Sequence, residues 1–255
     1  MPPVPESIFI DAVEQMVAAN SRWIPPTGRG SLYIRPVLWG TGAIMGVAPA
    51  PSYTFCVFVT PVGPYFKGGL SCIDLLISDE FHRAALGGSG GVKAIGNYAP
   101  GMMPSINAKK QGFAEVIYLD AKEHRCIEEV GAANFFCVKD NVIHTPELTG
   151  TILPGITRAS IIAIARHRGY EVIEEGVSAE FAMSADEAFC CGTAAVISPI
   201  GSITHGEKEK IYQNRAVGTV TRELYDTLIG IHTEVKEDTF GWMHHVDLDL
   251  TVDHV

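Results

Sequence analysis

Basic residues are scarce in this chain: 19 Lys and Arg stand against 29 Asp and Glu, a formal net charge of −10. No basic stripe offsets that balance, so nonspecific nucleic-acid binding, which needs clustered Lys and Arg, is not expected. Long apolar runs are lacking too. The longest, such as Thr54–Val62 and Ala194–Ile200, fall far short of the ~20 residues of a membrane-spanning helix, and no membrane partner is expected. The six cysteines, Cys56, Cys72, Cys126, Cys137, Cys190 and Cys191, contain no Cys-x-x-Cys pair. Their apolar, strand-like surroundings read as buried free thiols in a reducing compartment. The nine histidines form no His-Glu-x-x-His motif or ligand pair at helical spacing, so no metal is expected.

What is present suits a globular enzyme. At 255 residues and 47% hydrophobic content, the chain can bury a good core in one large or two smaller domains. Apolar positions at helical spacing over residues 6–20 predict an opening amphipathic helix. SLYIRPVLWG and TFCVFVTPVG alternate as two strands of one small sheet. Short β-rich runs follow from about Lys67 (IDLLIS, AEVIYLD, CIEEV, NFFCVK, NVIHTP), interrupted by a helix after Pro100. Thr157–Arg168 reads as an amphipathic helix ended by Gly169, and YEVIEEG as a strand. SADEAFC to AAVISPI reads as a helix-to-strand step, and residues 216–231 as a closing helix. This order is that of a mixed α+β architecture.

The most informative stretch is the glycine-rich run Gly87–Gly101, which holds one lysine, Lys93, with Asn97-Tyr98 just behind. Glycines let a backbone approach a bound group closely, and a lysine amine can form a Schiff base with an aldehyde. The competing reading is a solvated lysine on a mobile loop. A phosphate-binding P-loop needs Gly-Lys followed by Ser or Thr; Val92 precedes Lys93 and Ala94 follows it, so both required contacts are lost and nucleotide hydrolysis becomes a minor reading. Leu153–Arg158 runs straight into a helix, where free amides and the positive dipole end favour an anion. An ordinary N-cap with Thr157 as the capping residue would give the same pattern. Glu128 and Glu129 are adjacent on a predicted strand, so their side chains point to opposite faces and only one can serve a common site.

GGVKAIGNYAPG, EEVGAANFF, LPGITR and CCGTAAVISP occur in an order that resembles the branched-chain amino acid aminotransferases, closest in wording to the plant members. SLYIRP at Ser31–Pro36 and PVGPYFKGG at residues 61–69 add to the match. The resemblance implies a pyridoxal-phosphate (PLP) enzyme of fold type IV, with two α/β domains. The N-terminal small domain (residues 1–66) is expected to be incomplete and the large PLP-binding domain (residues 67–255) whole. It implies Lys93 as the Schiff-base lysine and proton shuttle, and Tyr98 as the hydrogen-bond partner of the ring oxygen. Glu129 pairs with the pyridine nitrogen, Ile156, Thr157 and Thr193 bind the phosphate, and Tyr33, Arg35 and Ala194 line the substrate pocket. The implied reaction moves the amino group of leucine, isoleucine or valine to 2-oxoglutarate, in a homodimer, in the cytoplasm or an organelle. D-amino acid transaminases and aminodeoxychorismate lyases share this fold, and the Glu-Val-Gly and Ser-Leu-Tyr-Ile-Arg-Pro wording favours the branched-chain members. Family chains begin upstream of this one and carry there an arginine that clamps the PLP phosphate. The alternative reading is therefore a catalytically impaired PLP-binding homologue, and no targeting segment is read in the chain itself.

Overall fold

The computed structural model describes residues 1–63 and 70–248, and the chain divides into two compact units, Met1–Lys67 with Asp238–Val255, and Gly68–Glu237. Most of PVGPYFKGG, together with the expected domain boundary at 66/67, lies outside the described residues.

In the first unit, α1 (Glu6–Ala19) has Phe9 against Phe55, ring centroids 5.8 Å apart. Phe55 belongs to β2 (Ser52–Val62), which pairs antiparallel with β1 (Ser31–Thr41). In that register Tyr33 lies opposite Thr60 and Arg35 opposite Phe58. Tyr33 and Arg35 are two apart and share a face, and the Arg35 guanidinium stands over the Tyr33 ring, 5.0 Å from its centroid. His244 Nε2 meets Glu14 Oε1 at 2.7 Å, which ties the C-terminal segment to α1.

The second unit runs β3 (Ile73–Ser78), α2 (Ala99–Lys110), β4 (Glu115–Leu119), β5 (Ile127–Val130), β6 (Ala133–Lys139), β7 (Val142–Thr145), α3 (Ile156–His167), β8 (Val172–Glu174), α4 (Ala179–Ser184), β9 (Glu187–Gly192), β10 (Val196–His205), β11 (Lys208–Ile211) and α5 (Thr219–His232). The strand order is β11-β10-β3-β4-β5-β6-β7-β8, and β9 pairs with both β6 and β10. That double pairing closes β10, β3, β4, β5, β6 and β9 into a ring. Alternate residues of these strands, Leu75, Ile77, Ile117, Leu119, Phe135, Cys137, Ala188 and Cys190, meet in one buried cluster, as a period of two requires. The intervening residues serve the other face, where Phe136 stacks on Phe189 with centroids 4.9 Å apart. The ends of this ring position the candidate site.

Two sequence expectations change. The run SADEAFC, expected to be helical, is largely strand β9, and the helix of that region lies earlier, at Ala179–Ser184. Ala188 and Cys190 bury one face and Phe189 the other, a two-sided burial that suits a central strand and hides its alternation. The cysteines also divide: Cys137, Cys190 and Cys191 are buried, Cys72 and Cys126 half-buried and Cys56 exposed, all free. Burial pushes the Cys190 thiol up to about 12, so its role is packing.

Candidate active site

A tight turn builds the centre of the site. Gly131 takes φ +53°, in the left-handed region that costs glycine little, and the hairpin it closes sets Glu129 of β5 opposite Asn134 of β6. Asn134 Nδ2 donates to Glu129 Oε1 at 3.0 Å and to the Leu153 carbonyl at 2.9 Å. The Leu153 amide donates to the same Oε1 at 3.0 Å. One asparagine thus stitches the carboxylate strand to the segment that enters α3. Gly155 fits against this junction: a Cβ there would overlap Asn134 Oδ1, while its φ of −65° suits any residue. Space, not torsion, demands the glycine. Gly155→Ala is expected to displace Asn134, to remove its hydrogen bonds to Glu129 Oε1 and the Leu153 carbonyl, and to cost roughly 2–4 kcal/mol of stability. A lowered urea midpoint with an unchanged slope checks this.

Glu129 is only 2% exposed. Burial raises its carboxyl to about 7, against the opposing pull first of Arg83 and then of the Leu153 amide. Arg83 Nε lies 2.7 Å from Oε2 as an ion pair, yet Oε2 accepts no aligned hydrogen bond. Such an atom is uncommon, since buried polar groups are nearly always bonded. Arg83 Nη1 donates to the Thr151 carbonyl at 2.9 Å. Glu128 is also buried, and burial raises its carboxyl. Both members of the acidic pair are therefore inside, one on each face of β5.

The glycine-rich loop packs onto the same segment. The Gly91 amide donates to the Gly150 carbonyl at 2.7 Å, and a Cβ on Gly90 would meet the Thr151 carbonyl. Asn97 holds the loop by donating at 2.7 Å to the carbonyls of both Ser89 and Val92. Lys93 is exposed, and its Nζ donates to Tyr98 Oη at 3.2 Å. It is close enough to Glu129 to act on that carboxyl's charge.

The α3 N-terminus follows Leu153 directly. Its N-cap is Gly155, with no side-chain cap, which corrects the reading of Thr157 as a capping residue: Thr157 is the second residue of the helix. Ile156 is 82% exposed and Thr157 half-buried, so the first-turn amides stand without a side-chain acceptor at a positive dipole end. Thr193 and Ala194 lie exposed in the β9–β10 turn. That turn belongs to the same strand end, because Cys191 pairs with Asn134.

The fold thus brings Lys93, Tyr98, Glu129, Ile156, Thr157, Thr193 and Ala194 to one end of the second unit, with Tyr33 and Arg35 in the first. Sequence reading missed Arg83 and Asn134. Asn134 was legible, since a hairpin turning at Gly131-Ala132 places residue 134 across from 129. Arg83 gave only the faint signal of one cation in the apolar run FHRAAL.

The chain as a whole has known counterparts. Residues 1–203 match the family model for amino-transferase class IV. The chain is 53% identical over 234 residues to a chloroplastic branched-chain-amino-acid aminotransferase 5 of Arabidopsis thaliana, covering 92% of this chain and 56% of that protein. The chain thus spans little more than half the length of that relative. It is also similar to the crystal structure of the Escherichia coli branched-chain amino acid aminotransferase, with a TM-score of 0.83 and 33% identity over 96% of this chain and 78% of that one. A third likeness is to the branched-chain amino acid aminotransferase of Thermobaculum terrenum in its PLP form, with a TM-score of 0.76 and 27% identity over 91% of this chain and 72% of that one. With the mixed α+β fold and a family match over most of its length, the chain belongs to the class IV aminotransferases.

Proposed function

We propose that the chain is a PLP-dependent transaminase that moves the amino group of leucine, isoleucine or valine to 2-oxoglutarate. The observation that carries the reading is Glu129: a buried carboxylate whose Oε2 lacks an aligned donor, at the strand end where a lysine–tyrosine pair and an uncapped helix N-terminus converge. These residues fit the cofactor. Bound PLP supplies an aldehyde carbon for primary amines and a ring that accepts electrons from an adjacent carbanion.

Everything else is the work of the chain. Lys93 Nζ is the nucleophile and the proton carrier, and Tyr98 Oη, 3.2 Å away, fixes its aim. Asn134 Nδ2 and the Leu153 amide engage Oε1, which leaves Oε2 to hold a proton on the ring nitrogen. The amides of Ile156 and Thr157, the Thr157 hydroxyl and Thr193 hold the phosphate. Ala194 lies beside the substrate, and Tyr33 and Arg35 carry the substrate-carboxylate role by family resemblance alone. A homodimer is the expected assembly, and an organelle the expected compartment, after the chloroplastic relative.

Thr157→Ala and Thr193→Ala are each expected to weaken PLP binding by roughly 1–3 kcal/mol, because each removes a hydrogen bond to a charged phosphate. Equilibrium dialysis with free PLP reads this. Unchanged affinity in both variants would place the phosphate elsewhere. Absorbance titration with PLP followed by leucine separates the two readings of the chain: a spectrum that responds to PLP but not to leucine marks the impaired homologue.

A further inference from the structure

We propose that Arg83 is a positioning residue for this site: it favours the ionised form of buried Glu129 by charge alone while leaving Oε2 without a hydrogen-bond donor, free to meet a protonated ring nitrogen. The use rests on the cofactor reading above; the coupling of Arg83 to Glu129 does not. The geometry is unusual for a buried pair. Arg83 Nε sits 2.7 Å from Oε2, with side-chain exposures of 4% and 2%, but off the hydrogen-bond direction. A structural ion pair uses its fork to satisfy the carboxylate. Here Nη1 is turned to the Thr151 carbonyl, and both donors that do bond the carboxylate, from Asn134 and Leu153, sit on Oε1. Charge and hydrogen bonding are delivered to different oxygens.

The ionisation needs this support. Burial works against the carboxylate, and the adjacent Glu128 adds a like charge. Lys93 acts in the same sense as Arg83 but ranks behind it and is exposed. From β9, Cys191 is a buried neutral thiol raised far above its ordinary range. From β4, Tyr118 faces Glu129 in the ladder, and burial raises its hydroxyl to about 12. Neither supplies a positive charge. Arg83 also lines a cavity of about 160 Å³ shared with Tyr98, Ser105, Glu115 and Tyr118. That space places Arg83 on one wall with the residue assigned to the ring oxygen.

The test reads Glu129 directly in the chain without cofactor. With ¹³C-labelled glutamate and the Glu129 carboxyl resonance assigned by its loss in Glu129→Gln, Arg83→Met is expected to raise the titration midpoint by at least one pH unit, a tenfold gain in proton affinity. Arg83→Lys, which keeps the charge, is expected to raise it less. PLP affinity at pH 8 falls at least tenfold in Arg83→Met and less in Arg83→Lys. Should Arg83→Met fail to fold at pH 8, it is expected to fold at pH 5, where Glu129 is neutral, and in the Glu129→Gln background; equal failure in all three overturns the coupling. A shifted midpoint in Arg83→Met, together with an unmodified chain that binds no PLP, supports the coupling and removes the cofactor reading. An unmoved midpoint in a folded Arg83→Met chain that still binds PLP overturns the proposal and leaves that reading intact.

Discussion

Replacing Lys93 with alanine is expected to abolish amino transfer, by at least four orders of magnitude, while leaving the fold unchanged. The two halves of that expectation have separate origins. Lys93 is exposed and donates a hydrogen bond to Tyr98 at 3.2 Å, and surface substitutions of that kind shift stability by no more than about 0.5 kcal/mol. Chemically it is assigned both the nucleophile and the proton carrier. Loss of proton transfer alone accounts for roughly 10²–10⁴ in rate, and loss of the covalent partner adds to it. Single-turnover rates with leucine, beside a thermal unfolding curve, check both halves. An inactive variant that has also unfolded would say nothing about chemistry, which is why the unchanged melting temperature belongs to the prediction.

Glu129→Gln is expected to slow amino transfer by roughly 10²–10³, about 3–4 kcal/mol in barrier height, at saturating PLP. An amide keeps an oxygen for Asn134 and Leu153, so the Oε1 anchor survives. It brings an NH₂ group toward the Arg83 guanidinium and deprives that buried cation of its partner. The variant should therefore also lose stability, because an uncompensated buried charge costs on the order of 3–5 kcal/mol. Recovery of stability, but not of rate, in the Glu129→Gln, Arg83→Met double variant separates the two effects. Wild-type turnover in Glu129→Gln would refute the role.

The sequence made some of this site readable because the determinants are local. The Lys93 loop, the Gly131 turn that opposes Glu129 and Asn134, and the Leu153–Arg158 entry into α3 each lie within one short segment. Their local geometry follows from glycine, from strand alternation and from the exposed amides of a helix start. Arg83 was invisible for the opposite reason. It reaches Glu129 only through the fold, with Thr151 as a third party, and no spacing rule connects the three. Strand β9 was misread on similar grounds. Its residues are buried on both faces because β6 and β10 flank it, and that burial comes from neighbours distant in sequence. Glu128 shows a limit of the alternation rule: the rule correctly gave it a different face from Glu129, but buried carboxylates occupy both faces of β5.

The central claim is that Lys93 is the residue that holds PLP covalently. Incubating the chain with PLP, reducing with borohydride and mapping the labelled peptides by mass spectrometry tests it most directly. A single pyridoxyl label on the peptide containing Lys93, lost in Lys93→Ala, is the result expected. A label on Lys67, Lys109 or Lys110 with Lys93 unmodified would contradict it.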